Sequence, residues 1–151
     1  MEAKRSPQDR LAKATMCGSV LYEQHGQEVR IGFPNPGARL PVIRRHGNPE
    51  LVVWGRRRDE VGKLPCGGWA RLESIKAGRW DRWQPQPVRL QLSGFMERDI
   101  QGDSHWFELS SGQWIQGLVA RDGAERRVYV VTVTPEMPEA VHERWPRIIT
   151  A

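Results

Sequence analysis

Cysteine is scarce in this chain: Cys17 and Cys66 are the only two among 151 residues. Two thiols make no disulfide framework, and no Cys/His spacing fits a zinc site, so neither a disulfide scaffold nor a metal is expected. Long apolar runs are missing too. Nothing approaches the roughly 20 consecutive apolar residues of a membrane span, and residues 1–15 lack the apolar stretch of a secretory signal. These absences lead to the expectation of a soluble, cytoplasmic chain with no membrane contact, no metal and no cofactor. No internal repeat or low-complexity tract is visible. Lysine is rare as well: 4 lysines stand against 19 arginines, within a formal net charge of +5.

That arginine bias has two explanations. Guanidinium groups fork onto phosphate oxygens and stack on bases, which suits a phosphate-rich partner. A genome that favours arginine codons gives the same composition without any function. Seven tryptophans accompany the arginines, several directly beside one, as in Arg79-Trp80, Arg82-Trp83 and Arg144-Trp145. Rings interleaved with cations are what a single-stranded nucleic-acid groove needs, because bases stack on the rings while the cations follow the backbone. Packing in the core is the competing role for each tryptophan. Trp54, behind Leu51-Val52-Val53, is expected at the end of a buried strand.

From Cys17 onward the patterning is mostly that of strands, at Val20 to Tyr22, Val29 to Phe33, Leu40 to Ile43, Leu51 to Trp54 and Val88 to Leu92. Residues 34–37 and 46–49 are turn clusters, and residues 55–69 read as a basic, glycine-containing loop. A helix is expected over residues 70–77, ended by Gly78. Trp106 to Leu109 and Trp114 to Val119 read as a hairpin through Ser110-Ser111-Gly112, and Asp122-Gly123 turns the chain into a strand from Arg127 to Thr134. Thr134-Pro135 has the form of an N-cap followed by proline, opening a short helix toward His142. The expected fold class is α+β, dominated by antiparallel strands and flanked by short helices. One domain is expected over residues 16–151. Residues 1–15 form a polar extension before it, with a short frayed helix from Asp9 to Ala14, and are expected to be flexible or removed.

Met16-Cys17-Gly18 is the segment with the most distinctive chemistry. If the chain begins at Met16 and that methionine is removed, or if cleavage falls before Cys17, the cysteine carries a free α-amine beside its thiol. Such a 1,2-aminothiol captures aldehydes: the amine forms an imine and the sulfur closes a thiazolidine ring. An internal cysteine has an amide in place of the amine and cannot do this.

Further segments follow in fixed order: Val53-Trp54-Gly55, Ala70-Arg71-Leu72-Glu73-Ser74, Gly94-Phe95-Met96-Glu97 and His142-Glu143-Arg144-Trp145-Pro146. With Met16-Cys17-Gly18 at their head, they resemble the SOS response-associated peptidase (SRAP) family of abasic-site processing proteins. The resemblance covers about residues 16 to 149. It implies a compact sheet assembly with a small barrel, and an N-terminal cysteine in a cleft for single-stranded DNA that carries abasic sites. The implied activity is covalent capture of the abasic aldehyde as a DNA–protein crosslink, with a self-directed peptidase step that exposes the cysteine.

By that match Cys17 is the nucleophile, and Glu97 and His142 complete the catalytic set. Arg71 matches the phosphate-contacting arginine, although an ion pair with Glu73 is an equal alternative. Arg144 falls on the arginine of the late motif, where anchoring the C-terminal turn is the alternative. Trp54 matches the tryptophan of the Trp-Gly segment, which can floor the cleft without touching DNA. The sequence departs from the pattern at Trp69, where the family has an asparagine; an indole offers one donor and no acceptor. Ser19, Met96 and Trp145 replace an arginine, a tyrosine and a methionine. A non-catalytic module for single-stranded DNA, or a thiol peptidase built on Cys17 and His142, is the competing reading. A monomer is the default.

Overall fold

Twelve strands carry the described residues of this computed structural model, which are 18–43, 48–98, 101–134 and 144–150. β1 (Ser19–Gln24) alternates in burial, with Val20 and Tyr22 inside and Glu23 outside, the period-two pattern of a strand with one buried face. It turns through His25-Gly26, both at positive φ (53° and 77°), into β2 (Gln27–Gly32). That conformation is what a two-residue hairpin loop demands.

β1 pairs on its other side with β7 (Gly94–Arg98), and β7 pairs with β8 (Ser104–Glu108), giving a four-stranded antiparallel sheet in the order β2-β1-β7-β8. A larger, eight-stranded sheet runs β11-β10-β9-β6-β3-β4. Its strands are β3 (Arg39–Ile43), β4 (Glu50–Val53), β6 (Gln86–Leu90), β9 (Gln113–Asp122), β10 (Glu125–Val133) and β11 (Trp145–Pro146). β12 (Ile148–Thr150) pairs with β9, and β5 (Trp69–Arg71) runs parallel to β10.

The two sheets share a core. Val20 and Tyr22 of β1 and Phe95 of β7 pack with Leu40, Leu90, Ile115, Val128 and Trp145 of the larger sheet. β9 and β10 are covered on their second face as well, where Leu64, Ala70 and Trp80 meet Leu118, Ala120, Tyr129 and Val131. Burial on both sides explains the unbroken apolar runs of these two strands. Burial also holds the Tyr129 phenol well above its ordinary range, and its hydroxyl donates to the Pro65 carbonyl at 2.7 Å.

The dominance of antiparallel strands agrees with the sequence. Helix is scarcer than an α+β assignment implies: among the described residues there is one α-helix, α1 (Leu72–Lys76), and a 3-10 turn at Asp81–Trp83. The helix expected from residue 70 starts at Leu72 because Trp69, Ala70 and Arg71 are held as strand by Val130, Val131 and Thr132. The expected hairpin of residues 106–109 with 114–119 is overturned, since β8 pairs with β7, while β9 pairs with β6, β10 and β12. Its two-sided apolar surface places β9 inside the large sheet. The strand order of that sheet is open, and Trp54, next after β4, meets β10 through a bridge to Val128. The short helices expected from Asp9 and after Thr134 lie outside the described residues. No described helix is long and apolar enough to cross a membrane.

Candidate functional site

Glu97 is 1% exposed, the most deeply buried charged side chain among the described residues. Carrying a carboxylate into a protein interior is costly, so such a group calls for a partner or a task. It stands near the end of β7, on the face that Phe95 presents to the core. Directly across the β7–β8 ladder is His105, half-buried, at the start of β8. Below this pair lies an aromatic floor. Phe95 stacks on Phe107 with centroids 5.3 Å apart, and Trp145 meets both edge-on at 5.1 and 4.8 Å.

The start of β1 reaches the same end of the sheet. Ser19 pairs with Met96, so Gly18 lies one residue before that pair and Glu97 one residue after it. The Gly18 carbonyl accepts the Phe33 N–H at 3.0 Å. Phe33 is itself fixed. Its ring packs on Trp69 at 4.9 Å and Trp54 at 5.5 Å, and its carbonyl accepts two bonds from the Arg57 guanidinium, at 2.9 and 2.6 Å.

Trp54 is fully buried, and its indole N–H donates to the Gly68 carbonyl at 2.9 Å. It therefore offers no face for a base. Trp69 stands in the same aromatic cluster, 6.0 Å from Trp54. Its Nε1 is buried with no hydrogen-bond partner.

Thr132 joins the two arginines singled out in the sequence. Arg71 is its parallel partner across β5 and β10, and is exposed. Arg144 is occupied: its guanidinium donates to the Thr132 carbonyl at 2.7 Å, to both oxygens of Glu73, and to the Thr134 hydroxyl. The Arg144 hydrogen bonds hold the Glu73 carboxyl below the ordinary carboxylate range against the opposing effect of partial burial.

Two arginines of the basic loop of residues 55–69 spend their charge internally, while Arg58 and Lys63 are exposed. Arg56 donates to the carbonyls of Leu64 and Glu60. Arg57 donates to Trp54 and Phe33 and lies over the Phe33 ring at 4.4 Å. Burial pushes the Glu60 carboxyl up, but hydrogen bonds from the Arg57 backbone and from the Arg127 and Arg57 side chains outweigh it and leave it lowered. The guanidinium groups of Arg30, Arg82 and Arg89 instead cover Trp106, Trp83 and Trp114, at 4.7, 4.5 and 4.2 Å.

Of the residues expected to do chemistry, Glu97 is described, while Cys17 and His142 lie outside the described residues. Gly18, next to Cys17, lies one residue beyond the Ser19–Met96 pair on the side of Glu97, and Arg144, two residues after His142, bonds to Thr132. Three contributors were not expected. His105 shows itself only once residues 94–98 and 104–108 are read as a hairpin turning at Gly102, whose φ is +90°. Phe33 and Arg57 carry no motif at all. No group of metal-binding side chains occurs among the described residues. No family model, no curated protein and no solved structure matches the chain.

Proposed function

We propose that this protein captures the aldehyde of abasic sites in single-stranded DNA through Cys17, once that residue is the amino terminus, as the SRAP-like order of its motifs implies. The supporting observation is the placement of Glu97. A carboxylate buried to 1% exposure stands beside the strand that begins right after Met16-Cys17-Gly18.

The chemistry needs little beyond orientation and one proton-handling group. An α-amine with a reference pKa of about 7.7–8.0 is neutral in roughly a fifth of molecules near pH 7.3. It adds to the ring-opened sugar aldehyde to give a carbinolamine. The carbinolamine hydroxyl takes a proton and leaves as water while nitrogen gives one up, which is the step a neighbouring carboxyl assists. The Cys17 sulfur then adds to the imine carbon, and the thiol proton passes to nitrogen as the thiazolidine closes. Holding amine, thiol and aldehyde together supplies most of the rate. His142 is the second proton-handling residue in this reading. Arg71 meets a phosphate, Trp69 lines the cleft and Trp54 supports it. Arg144 serves the site by fixing the segment on which it lies. The Trp54–Val128 bridge is read as the seam of a small barrel, and the protein as cytoplasmic.

The test is to cleave the folded full chain ahead of Cys17, incubate it with an abasic oligonucleotide and look for an adduct that survives denaturant. Adduct is expected from this form and not from Cys17→Ala. Adduct formation that persists in Cys17→Ala, or its absence from the cleaved wild type, defeats the proposal. In that second case non-covalent binding of single-stranded DNA is the better reading. It is favoured by the tryptophans covered by Arg30, Arg82 and Arg89 and by the indole at Trp69.

A further inference from the structure

His105 belongs to none of the sequence motifs, yet it is the residue that the β7–β8 register sets directly opposite Glu97. We infer that His105 is a positioning residue for Glu97: its imidazole orients the buried carboxylate and links it to solvent. This rests on the reading that Glu97 handles protons during aldehyde capture.

Three features carry the inference. The first is proximity, since directly opposed residues of an antiparallel pair hold their Cβ atoms about 4.5–5.5 Å apart and project to the same side. The second is rigidity. Five consecutive pairs, from Gly94–Glu108 to Arg98–Ser104, fix the register, and the stacked Phe95 and Phe107 one pair further along the same face hold the two strands together. A slip by one residue would carry all of these side chains to the wrong face.

The third is the gradient in exposure. Glu97 is enclosed, whereas His105 is half-buried at the start of an edge strand. An imidazole in that position can face the carboxylate with one ring nitrogen and water with the other. Arg98 and Ser104, the next pair along, project to the opposite side of the sheet, so they do not compete for this place.

Two measurements test the inference. In the folded full chain, the imidazole ¹⁵N signals of His105 are recorded for wild type and Glu97→Gln. They are expected to move on substitution, and signals that stay in place overturn the pairing whether or not the protein reacts with DNA. In chains cleaved ahead of Cys17, single-turnover adduct formation is compared for wild type, His105→Gln, His105→Phe, Glu97→Gln and the Glu97→Gln/His105→Gln double variant.

A slowing of about 10-fold is expected in His105→Phe, below the roughly 100- to 10,000-fold that a direct proton-transfer group supplies, because His105 acts through Glu97. His105→Gln, which keeps a hydrogen-bonding group, should recover part of the loss, and affinity for single-stranded DNA should not change. The double variant should be no slower than Glu97→Gln alone. Wild-type rates in both His105 variants, or losses that multiply in the double variant, overturn the role. A wild type that forms no adduct sinks the proposed function instead, and the ¹⁵N measurement then still decides whether His105 and Glu97 act as a pair.

Discussion

Arg144 grips both oxygens of Glu73, with Nη1 2.8 Å from Oε2 and Nη2 3.1 Å from Oε1. The same guanidinium donates to the buried Thr132, so one side chain ties α1, β10 and the approach to β11 together. Geometry of this kind is specific to arginine.

Two substitutions separate the parts of that clamp. Glu73 is 59% exposed, so Glu73→Gln should cost only about 0.5 kcal/mol at pH 7, as expected of a solvent-screened pair. Arg144→Met also strips the Thr132 carbonyl of a donor and should cost about 1–3 kcal/mol. The pH dependence has a definite sign. Folding lowers the Glu73 carboxyl pKa, so its stabilisation is complete above the unfolded value and fades as pH falls through the folded one. Urea melts at pH 7 and pH 3 should show the gap between wild type and Glu73→Gln closing at the lower pH. A gap that widens there would contradict the ion pair.

Gly68 gives a sharper test of the aromatic cluster. A Cβ on this residue would lie 2.7 Å from Trp54 Nε1 and 2.8 Å from Phe33 Cδ2, whereas one on Gly32 would meet nothing closer than 3.5 Å. Trp54 cannot retreat, being fully buried and bonded to the Gly68 carbonyl. Gly68→Ala should therefore destabilise by about 1–3 kcal/mol, whereas Gly32→Ala should be neutral or stabilise by up to about 1 kcal/mol. Equal denaturation midpoints for the two variants would show that the cluster yields easily.

The contrast between these glycines also marks what could be read from sequence. Val20 to Tyr22 was legible because burial on one face leaves its period in the side chains, and Leu40 to Ile43 because a strand buried on both faces leaves a short apolar run. Partner strands were not. Residues 104–108 and 113–122 are separated by a plausible turn, and only the need to cover both faces of β9 sends β8 to β7 instead. Glu97 drew attention in the sequence through its place in an ordered set of motifs, and its burial came only with the structure. His105 was not legible, because its significance lies in a register set by residues 94–98. The role of the arginines was the least legible of all: Arg56 and Arg57 look like a phosphate-binding patch, but their acceptors are backbone carbonyls, one of them 24 residues away at Phe33, and the Glu60 carboxylate. A guanidinium with five donors closes such loops as readily as it binds DNA.

Arg57 and Arg71 should consequently fail in opposite ways. Arg57 is 8% exposed and bonded to the Phe33 and Trp54 carbonyls, so Arg57→Ala leaves buried acceptors empty and should destabilise by roughly 3 kcal/mol. Arg71 is exposed on the strand beside Thr132, and Arg71→Ala should leave stability within about 0.5 kcal/mol of wild type. If Arg71 meets a phosphate, its loss should weaken binding of single-stranded DNA several-fold, equally for all sequences. It should also flatten the slope of log affinity against log salt by about 0.7, the counterion release of one phosphate contact on a single strand. Fluorescence anisotropy with a labelled oligonucleotide across a salt series measures both effects. An unchanged slope in Arg71→Ala would remove this residue from the path of the DNA, and the exposed Arg79 would then be the next candidate along the chain.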